Sequence, residues 1–293
     1  MSKRLVIENG DPGRRFDFTR GFKETLNTYH TSVSILKNIR IAVPSFLFLV
    51  LHLGILISYL SSLAPPSSSF WALFLNGLSG SDLGHFPEHI ILMQPILDRF
   101  DIFIEIFINI VFQGATSVFI YSTIFNKSIS LAGGFRAAFG KYLQLFLISL
   151  FASALIFLVF FLAGNIKDSL GGMAGNAVYA ASIMVALAIQ GLFLYTTPAI
   201  MLYDSHLLRS LRESFRIAWN SAATTLFLVL IPFILTIPTT FISVKAGLIA
   251  TRLSPDFIIH NYIISSVIEM ISIYLLIAGG TVIFLQRMKN RLN

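Results

Sequence analysis

DRFDIFIEIFINIVFQGATSVFIYSTIF, residues 98–125, is apolar enough to cross a bilayer, yet it carries Asp98, Asp101, Glu105, Asn109, Gln113 and Thr116. At about 100° per residue, a helix brings these six within roughly 120° of one another. One side of that helix suits lipid and the other is polar. Ionisable groups in a membrane span are costly and face a bundle interior or a wet cavity. The stretch therefore predicts a membrane helix whose polar side is covered by other spans.

The rest of the chain agrees. Of 293 residues, 55% are hydrophobic and only 12% are charged. A soluble domain carries about 25% charged residues, so the deficit marks an integral membrane protein. There is no Cys, which excludes disulfides, thiol nucleophiles and cysteine metal sites. The net charge of +7 is not a nucleic-acid footprint, because the basic residues gather at the ends of apolar runs, where membrane orientation is set. The first 40 residues are largely polar, so no cleavable signal peptide is expected and the first span serves as an uncleaved anchor.

Residues 1–20, with Gly10, Pro12 and Gly13, read as a disordered cytoplasmic tail, and 21–293 as a single transmembrane domain. Beyond Gly21, Phe22, Leu26, Tyr29, Val33 and Leu36 recur at helical spacing, which predicts an amphipathic helix on the inner membrane surface. Six apolar stretches follow, at about 41–63, 101–125, 143–164, 177–202, 222–243 and 261–286. Each meets the ~20 residues needed to cross a ~30 Å hydrocarbon core. Seventeen of the 21 Lys and Arg residues fall at the termini and in the second and fourth loops; Arg99, Lys167, Lys245 and Arg252 fall on the other side. The positive-inside rule then puts both termini in the cytoplasm, as expected of a multi-pass plasma-membrane (inner-membrane) protein.

The first external loop, 64–100, opens with the breaker run Ala64-Pro65-Pro66-Ser67-Ser68-Ser69, and its Phe70, Trp71, Leu73 and Phe74 predict a segment in the membrane interface. Pro232 and Pro238 predict a kinked fifth span. Phe135-Arg136-Ala137-Ala138-Phe139 before span three matches Phe215-Arg216-Ile217-Ala218-Trp219 before span five. Gln113-Gly114, Gln190-Gly191 and Ala278-Gly279 match in spans two, four and six. These likenesses predict a threefold repeat of an interfacial helix followed by a helical hairpin. The helix before span five is expected to be capped by Asp204 or Ser205. Its apolar face would be Leu208, Leu211, Phe215 and Ala218, and its basic face Arg209, Arg212 and Arg216 would meet anionic lipid headgroups.

Thr197-Pro198-Ala199-Ile200-Met201-Leu202-Tyr203-Asp204 followed by Leu211-Arg212-Glu213-Ser214-Phe215-Arg216 resembles a pattern in poorly characterised prokaryotic six-span proteins. These are similar to the membrane domain attached to some glycerophosphodiester phosphodiesterases. The resemblance covers about a third of the chain. It implies a membrane fold and no hydrolase activity, since the soluble barrel of those fusions has no room here.

Among candidate sites, His85-Phe86-Pro87-Glu88-His89 has the H-x-x-E-H spacing of a zinc site. Pro87, however, fits only the first turn of a helix and leaves His85 outside it, so no metal is assigned. The acidic stripe is the better candidate. Asp101, Glu105, Asn109, Gln113, Gln190 and Glu269 are predicted to line a polar cavity open to the outside, where a cation, proton or polar solute could bind. No nucleophile–base set and no phosphate-binding loop is present, and no cofactor is called for. The expected fold class is an all-α integral membrane bundle of six transmembrane helices with cytoplasmic interfacial helices. The expected role is non-enzymatic, through assembly with membrane lipids, a membrane-protein partner or a second copy. The alternative is a small transporter or permease subunit, with a lipid-modifying membrane enzyme a distant third.

Overall fold

The computed structural model describes residues 17–61, 71, 88–203, 206–252, 254 and 256–292, and every regular element among them is a helix. In chain order these are α1 (Phe18–Ile35), α2 (Ile39–Leu60), α3 (Glu88–Ile104), a π-helical turn (Glu105–Asn109), α4 (Ile110–Ile124), α5 (Leu131–Gly140), α6 (Tyr142–Leu170), α7 (Gly172–Phe193), α8 (Thr196–Tyr203), α9 (Leu207–Asn220), α10 (Ala222–Val244), α11 (Ala246–Arg252) and α12 (Asp256–Leu292). Six stretches are long and apolar enough to cross a membrane: Ile39–Leu60, Ile96–Ile124, Tyr142–Leu170, Gly172–Tyr203, Ala222–Val244 and Asp256–Met288. The all-α six-span class read from the sequence is the one observed.

The boundaries differ in instructive ways. Helix α1 starts at Phe18, inside the expected tail, because the Asp17 side chain caps it by accepting from the Arg20 amide at 3.0 Å. Residues 1–16 lie outside the described residues. The loop expected at 165–176 is absorbed by helix. Helix α6 runs on to Leu170, and Gly171 (φ 60°) and Gly172 (φ 51°) turn the chain directly into α7. Only glycine takes that left-handed backbone without strain. A Cβ on Gly175 would stand 2.7 Å from the Lys167 carbonyl oxygen, so the turn also depends on a close approach. Helix α10 passes through both Pro232 and Pro238 without a break.

The chain forms two compact units. The larger comprises 1–44, 110–232 and 274–293, and the smaller 45–109 and 233–273. The chain leaves the larger unit after Pro44, returns to it after the π-turn that ends at Asn109, and leaves it again after Pro232. Three of its four crossings therefore fall where a helix lacks a regular hydrogen bond.

In the larger unit the core is built from Ile41, Ala115, Phe119, Ile120, Ile200, Ala278 and Val282, among others. Lipid is as apolar as a leucine side chain, so such helices are held by close packing and interhelical hydrogen bonds rather than by escape from water. The three matched glycines serve that packing. A Cβ on Gly114 would lie 3.2 Å from Ala138 Cβ, one on Gly191 3.0 Å from Thr225 Cγ2, and one on Gly279 2.7 Å from Leu228 Cδ2 and 3.4 Å from Tyr29. Gly114 thus meets the short helix before the next hairpin, Gly191 the first span of the next hairpin, and Gly279 the tyrosine of α1. Interhelical hydrogen bonds accompany them: Tyr29 Oη to the Leu228 carbonyl at 2.8 Å, Tyr274 Oη to the Ser32 carbonyl at 2.6 Å, and Tyr195 with Thr225 at 2.8 Å. Each contributes about 0.6 kcal/mol.

A short helix precedes each pair of spans: α1, α5 and α9. Helix α1 buries Gly21, Thr25, Thr28, Tyr29 and Ser32, while Phe18, Phe22, Leu26 and Val33 are exposed. Its small polar face packs on protein and its apolar face is left free, the arrangement of an interfacial helix whose outer side meets lipid. Tyr29, read as part of the apolar stripe, is instead turned inward. Helix α9 repeats the pattern: Ser210, Ser214, Ile217 and Ala218 are buried, and Leu208 and Trp219 are exposed. Of its expected apolar face only Ala218 is buried. The residue at its N-cap is His206, which makes no side-chain cap bond; Asp204 and Ser205 lie outside the described residues.

The smaller unit packs Leu56, Tyr59, Trp71, Met93, Leu97, Ala246 and Tyr262 together. Trp71 is buried, with its ring edge-on to Tyr59 at 5.1 Å and to Phe100 at 4.9 Å, and its indole N–H bonded to Ser58 Oγ at 3.1 Å. The expectation for this residue is a place in the membrane interface, and here it is packed among protein side chains. Its hydrogen-bond partner and two aromatic neighbours draw it into the core. Phe70, Leu73 and Phe74 lie outside the described residues.

Candidate functional site

The smaller unit holds nearly all of the acidic residues singled out in the sequence, on three membrane-spanning segments: α2, the α3–π-turn stretch and α12. Helix α3 carries Asp98 and Asp101, the π-turn Glu105 and Asn109, and α12 Tyr262 and Glu269. Helix α2 contributes His52, which lies well inside the span, whereas Arg40 lies at its start. A π-turn accommodates one extra residue in a helix and re-aims the side chains around it; such turns recur at functional sites.

His52 is fully buried. Its Nδ1 lies 3.0 Å from the Phe48 carbonyl oxygen and its Nε2 3.2 Å from Asp101 Oδ1. The Phe48 ring packs against the imidazole at 4.1 Å between centroids. Because a carbonyl only accepts, Nδ1 carries a hydrogen. Nε2 stands within ion-pair range of Asp101. Tyr262 Oη donates to both oxygens of Asp101, at 3.2 and 3.3 Å. Asp101 is thus gripped from two neighbouring helices, and 18% of its side chain stays accessible.

One turn further along, Glu105 sits beside the Asn109 amide and feels the charges of His52 and Asp101. Its side chain is exposed although protein atoms crowd round the carboxyl. Asn109 is 1% exposed, and its NH2 group completes no hydrogen bond among the described residues. The Glu105 carboxyl beside it is the acceptor within its reach. Glu269 is half-buried on α12 and feels Glu105 most strongly, then His52, Asp101 and Asp98. Glu105 and Glu269 thus lie near enough to feel each other's charge. Among the described residues no three of His, Asp and Glu approach closely enough to hold a metal ion. The carboxyls are spread along a surface rather than gathered into a cage.

Not every candidate joins the cluster. Gln113 and Gln190 are half-buried in the larger unit, where each precedes one of the closely packed glycines. Arg209, Arg212 and Arg216 are exposed on α9. Arg216 reaches Glu213 at 3.4 Å and Arg209 lies 6.0 Å from the Tyr203 ring centre. Residues 85–87 of the zinc-like motif lie outside the described residues, and α3 opens at Glu88, immediately after Pro87. Sequence reading passed over His52 and Tyr262. The signal for His52 was available, since an ionisable residue within an apolar span is a site hypothesis by default. Tyr262 offered none, because tyrosine is ordinary near span ends.

Comparison with protein families, with curated proteins and with solved structures finds no match for this chain.

Proposed function

We propose that the protein is a small transporter or permease subunit that binds a cationic solute at Asp101, Glu105, Asn109 and Glu269. The observation that carries this reading is that Asp101, Glu105 and Glu269 feel one another's charge and that of His52, on three membrane-spanning segments of one unit. Apolar spans gather such groups at a cost, and their use in membrane proteins is to hold ions, protons or polar solutes. Asp101, Glu105 and Glu269 all act on one imidazole, so the local field favours positive charge. Their spread suits an organic cation with several hydrogen-bond donors. The excess of Lys and Arg at the termini and in the second and fourth loops supports a plasma-membrane orientation with both termini cytoplasmic.

The test is uptake into proteoliposomes of labelled tetramethylammonium, guanidinium, putrescine and ethidium, each against empty liposomes. Uptake of at least one, reduced tenfold or more in Glu105→Gln and Glu269→Gln variants that purify as folded protein, supports the reading. Uptake no greater than in empty liposomes for all four overturns it.

A second role fits α9. Its exposed Arg209, Arg212 and Arg216, together with exposed Leu208 and Trp219, favour contact with anionic headgroups at the membrane surface. Flotation with vesicles of neutral or phosphatidylglycerol-containing lipid does not isolate this contact in an integral protein. Thermal stabilisation by added phosphatidylglycerol does, and its loss in an Arg209→Gln, Arg212→Gln, Arg216→Gln triple variant is the expected result.

A further inference from the structure

The contact between His52 and Asp101 does not balance with both groups in their simplest forms. Nδ1 must carry a hydrogen to reach the Phe48 carbonyl at 3.0 Å. In a neutral imidazole the other nitrogen, Nε2, is then a bare acceptor. That acceptor would face Asp101 Oδ1 at 3.2 Å, and an ionised carboxylate is also acceptor-only. Two lone pairs at this separation, with the imidazole fully buried, repel. The contact becomes attractive if one more proton is present, on Nε2 to give an imidazolium beside a carboxylate, or on Asp101 to give a carboxylic acid donating to Nε2. Either way the pair is electrically neutral and holds one proton beyond those needed for its other hydrogen bonds. Tyr262 does not remove the need, because its hydroxyl already donates to both Asp101 oxygens.

The surroundings suit a proton that can leave. Part of Asp101 is accessible, and Glu105 on the π-turn is exposed. Among the described residues, the groups that bear on the pair are Glu105, Tyr262 and Glu269, with Asp98 beyond them beside Tyr262 and Glu269. All are acidic, so none of these groups is a cation that would drive the proton out at rest. A positively charged solute at the Glu105 and Glu269 carboxyls would do so. One positive charge arrives, one proton departs to water, and the total charge of the cluster is unchanged.

We propose that His52 and Asp101 together hold one exchangeable proton, given up when an organic cation occupies the adjoining Glu105 and Glu269 carboxyls. This makes the proton the counter-ion of the transport cycle, and the exchange step rests on the transport reading above, while the proton site itself does not.

Two measurements on the full-length protein in lipid test it. The first is magic-angle-spinning NMR of 15N-histidine protein from about pH 5 to about pH 8, the interval in which imidazole ordinarily changes charge. His52 is assigned from the signal missing in His52→Ala, and the Asp101 carboxyl is followed by infrared difference spectroscopy. The expected result is one proton shared by the pair, lost from both signals in the same transition. In Asp101→Asn the transition disappears, because the amide NH2 donates to Nε2 permanently. His52 protonated on Nδ1 alone beside an ionised Asp101 at every pH overturns the proton site. The second measurement is proton release, in weak buffer with a pH indicator, on adding each cation of the uptake panel. About one proton per bound cation in the wild type, and none in Asp101→Asn, supports the exchange. Binding without proton release overturns the exchange and leaves transport standing. A pair that titrates in a protein binding none of the cations overturns the exchange and the transport reading together.

Discussion

His52 Nε2 stands 3.2 Å from Asp101 Oδ1 while His52 Nδ1 is committed to the Phe48 carbonyl, so the proton count of one side chain is dictated by the other. Stability should reveal this. Asp101→Asn presents an amide that donates to Nε2 and still accepts from Tyr262, reproducing the protonated acid. Thermal unfolding in detergent should change by no more than about 1 kcal/mol, the scale of one hydrogen bond. His52→Ala removes one partner from a buried pair and should cost about 3–5 kcal/mol. Equal losses in the two variants would contradict the neutral, proton-sharing pair.

Tyr262→Phe isolates the second grip on Asp101. The hydroxyl is buried and donates at 3.2 and 3.3 Å to the two carboxyl oxygens. A hydrogen bond to a charged group contributes about 1.5–3 kcal/mol. If Asp101 is instead protonated, the loss falls to about 1 kcal/mol. The fall in unfolding free energy, measured in the same detergent, therefore also reports which of the two groups holds the proton.

The part of the site carried by span two was legible because ionisable residues inside an apolar run are conspicuous and their spacing put them on one face. What could not be read was which neighbours they meet. His52 was visible as an anomaly, but only the packing of α2 against α3 makes it the partner of Asp101. The π-turn is hidden for a different reason: one extra residue shifts the helical phase without altering composition. The repeated glycines were legible as a pattern, and the fold shows their physical basis, since Gly114, Gly191 and Gly279 each admit a side chain within 3.2 Å of a built Cβ. In α1 the apolar stripe was read correctly from spacing. Tyr29 lies at its edge and was drawn inward by the Leu228 carbonyl, a partner about 200 residues away.

Gly21 sets how closely α1 docks. A Cβ there would stand 2.6 Å from Ala223 Cβ and 2.9 Å from the Ala223 carbonyl carbon. Backbone cannot yield as a flexible side chain does, so Gly21→Ala should lift α1 off α10. Overpacking of this kind costs about 1–3 kcal/mol. The bonds dependent on the approach, Thr25 Oγ1 to the Thr224 carbonyl at 3.3 Å and Thr224 Oγ1 to Glu24 at 2.7 Å, should weaken with it. Faster cleavage within α1 under limited proteolysis is the expected readout. Cleavage at the wild-type rate would show that the contact does not hold the helix.

Tyr29 gives that docking a pH dependence. Burial, with a smaller effect from Tyr195, pushes its hydroxyl well above the ordinary tyrosine value. A group raised in the folded state stabilises the fold below its unfolded value, about 10, and loses that contribution as pH rises through the folded value. The wild type should therefore lose stability progressively above about pH 10. Tyr29→Phe should be less stable near neutrality by about 0.5–1.5 kcal/mol and should show a smaller alkaline loss. Unfolding curves on either side of that pH separate the two effects, and parallel alkaline losses would show that Tyr29 is not their source.

The π-turn supplies the last prediction. Glu105–Asn109 holds one residue more than an α-helical turn would need. Deleting Ile106 should let α3 and α4 join as continuous α-helix, with the flanking turns keeping their phase. The span would remain long enough to cross a membrane, since Ile96–Ile124 has 29 residues against the ~20 required. The protein should therefore still fold, with a modest loss of thermal stability. Glu105 and Asn109, however, would no longer be re-aimed as they are now, and cation uptake should fall by at least as much as in Glu105→Gln. If uptake in the deletion variant equalled that of the wild type, the π-turn would be an accident of packing. If the variant failed to fold, the extra residue would be structural, and Glu105→Gln and Asn109→Leu at full length would then have to carry the loss of uptake.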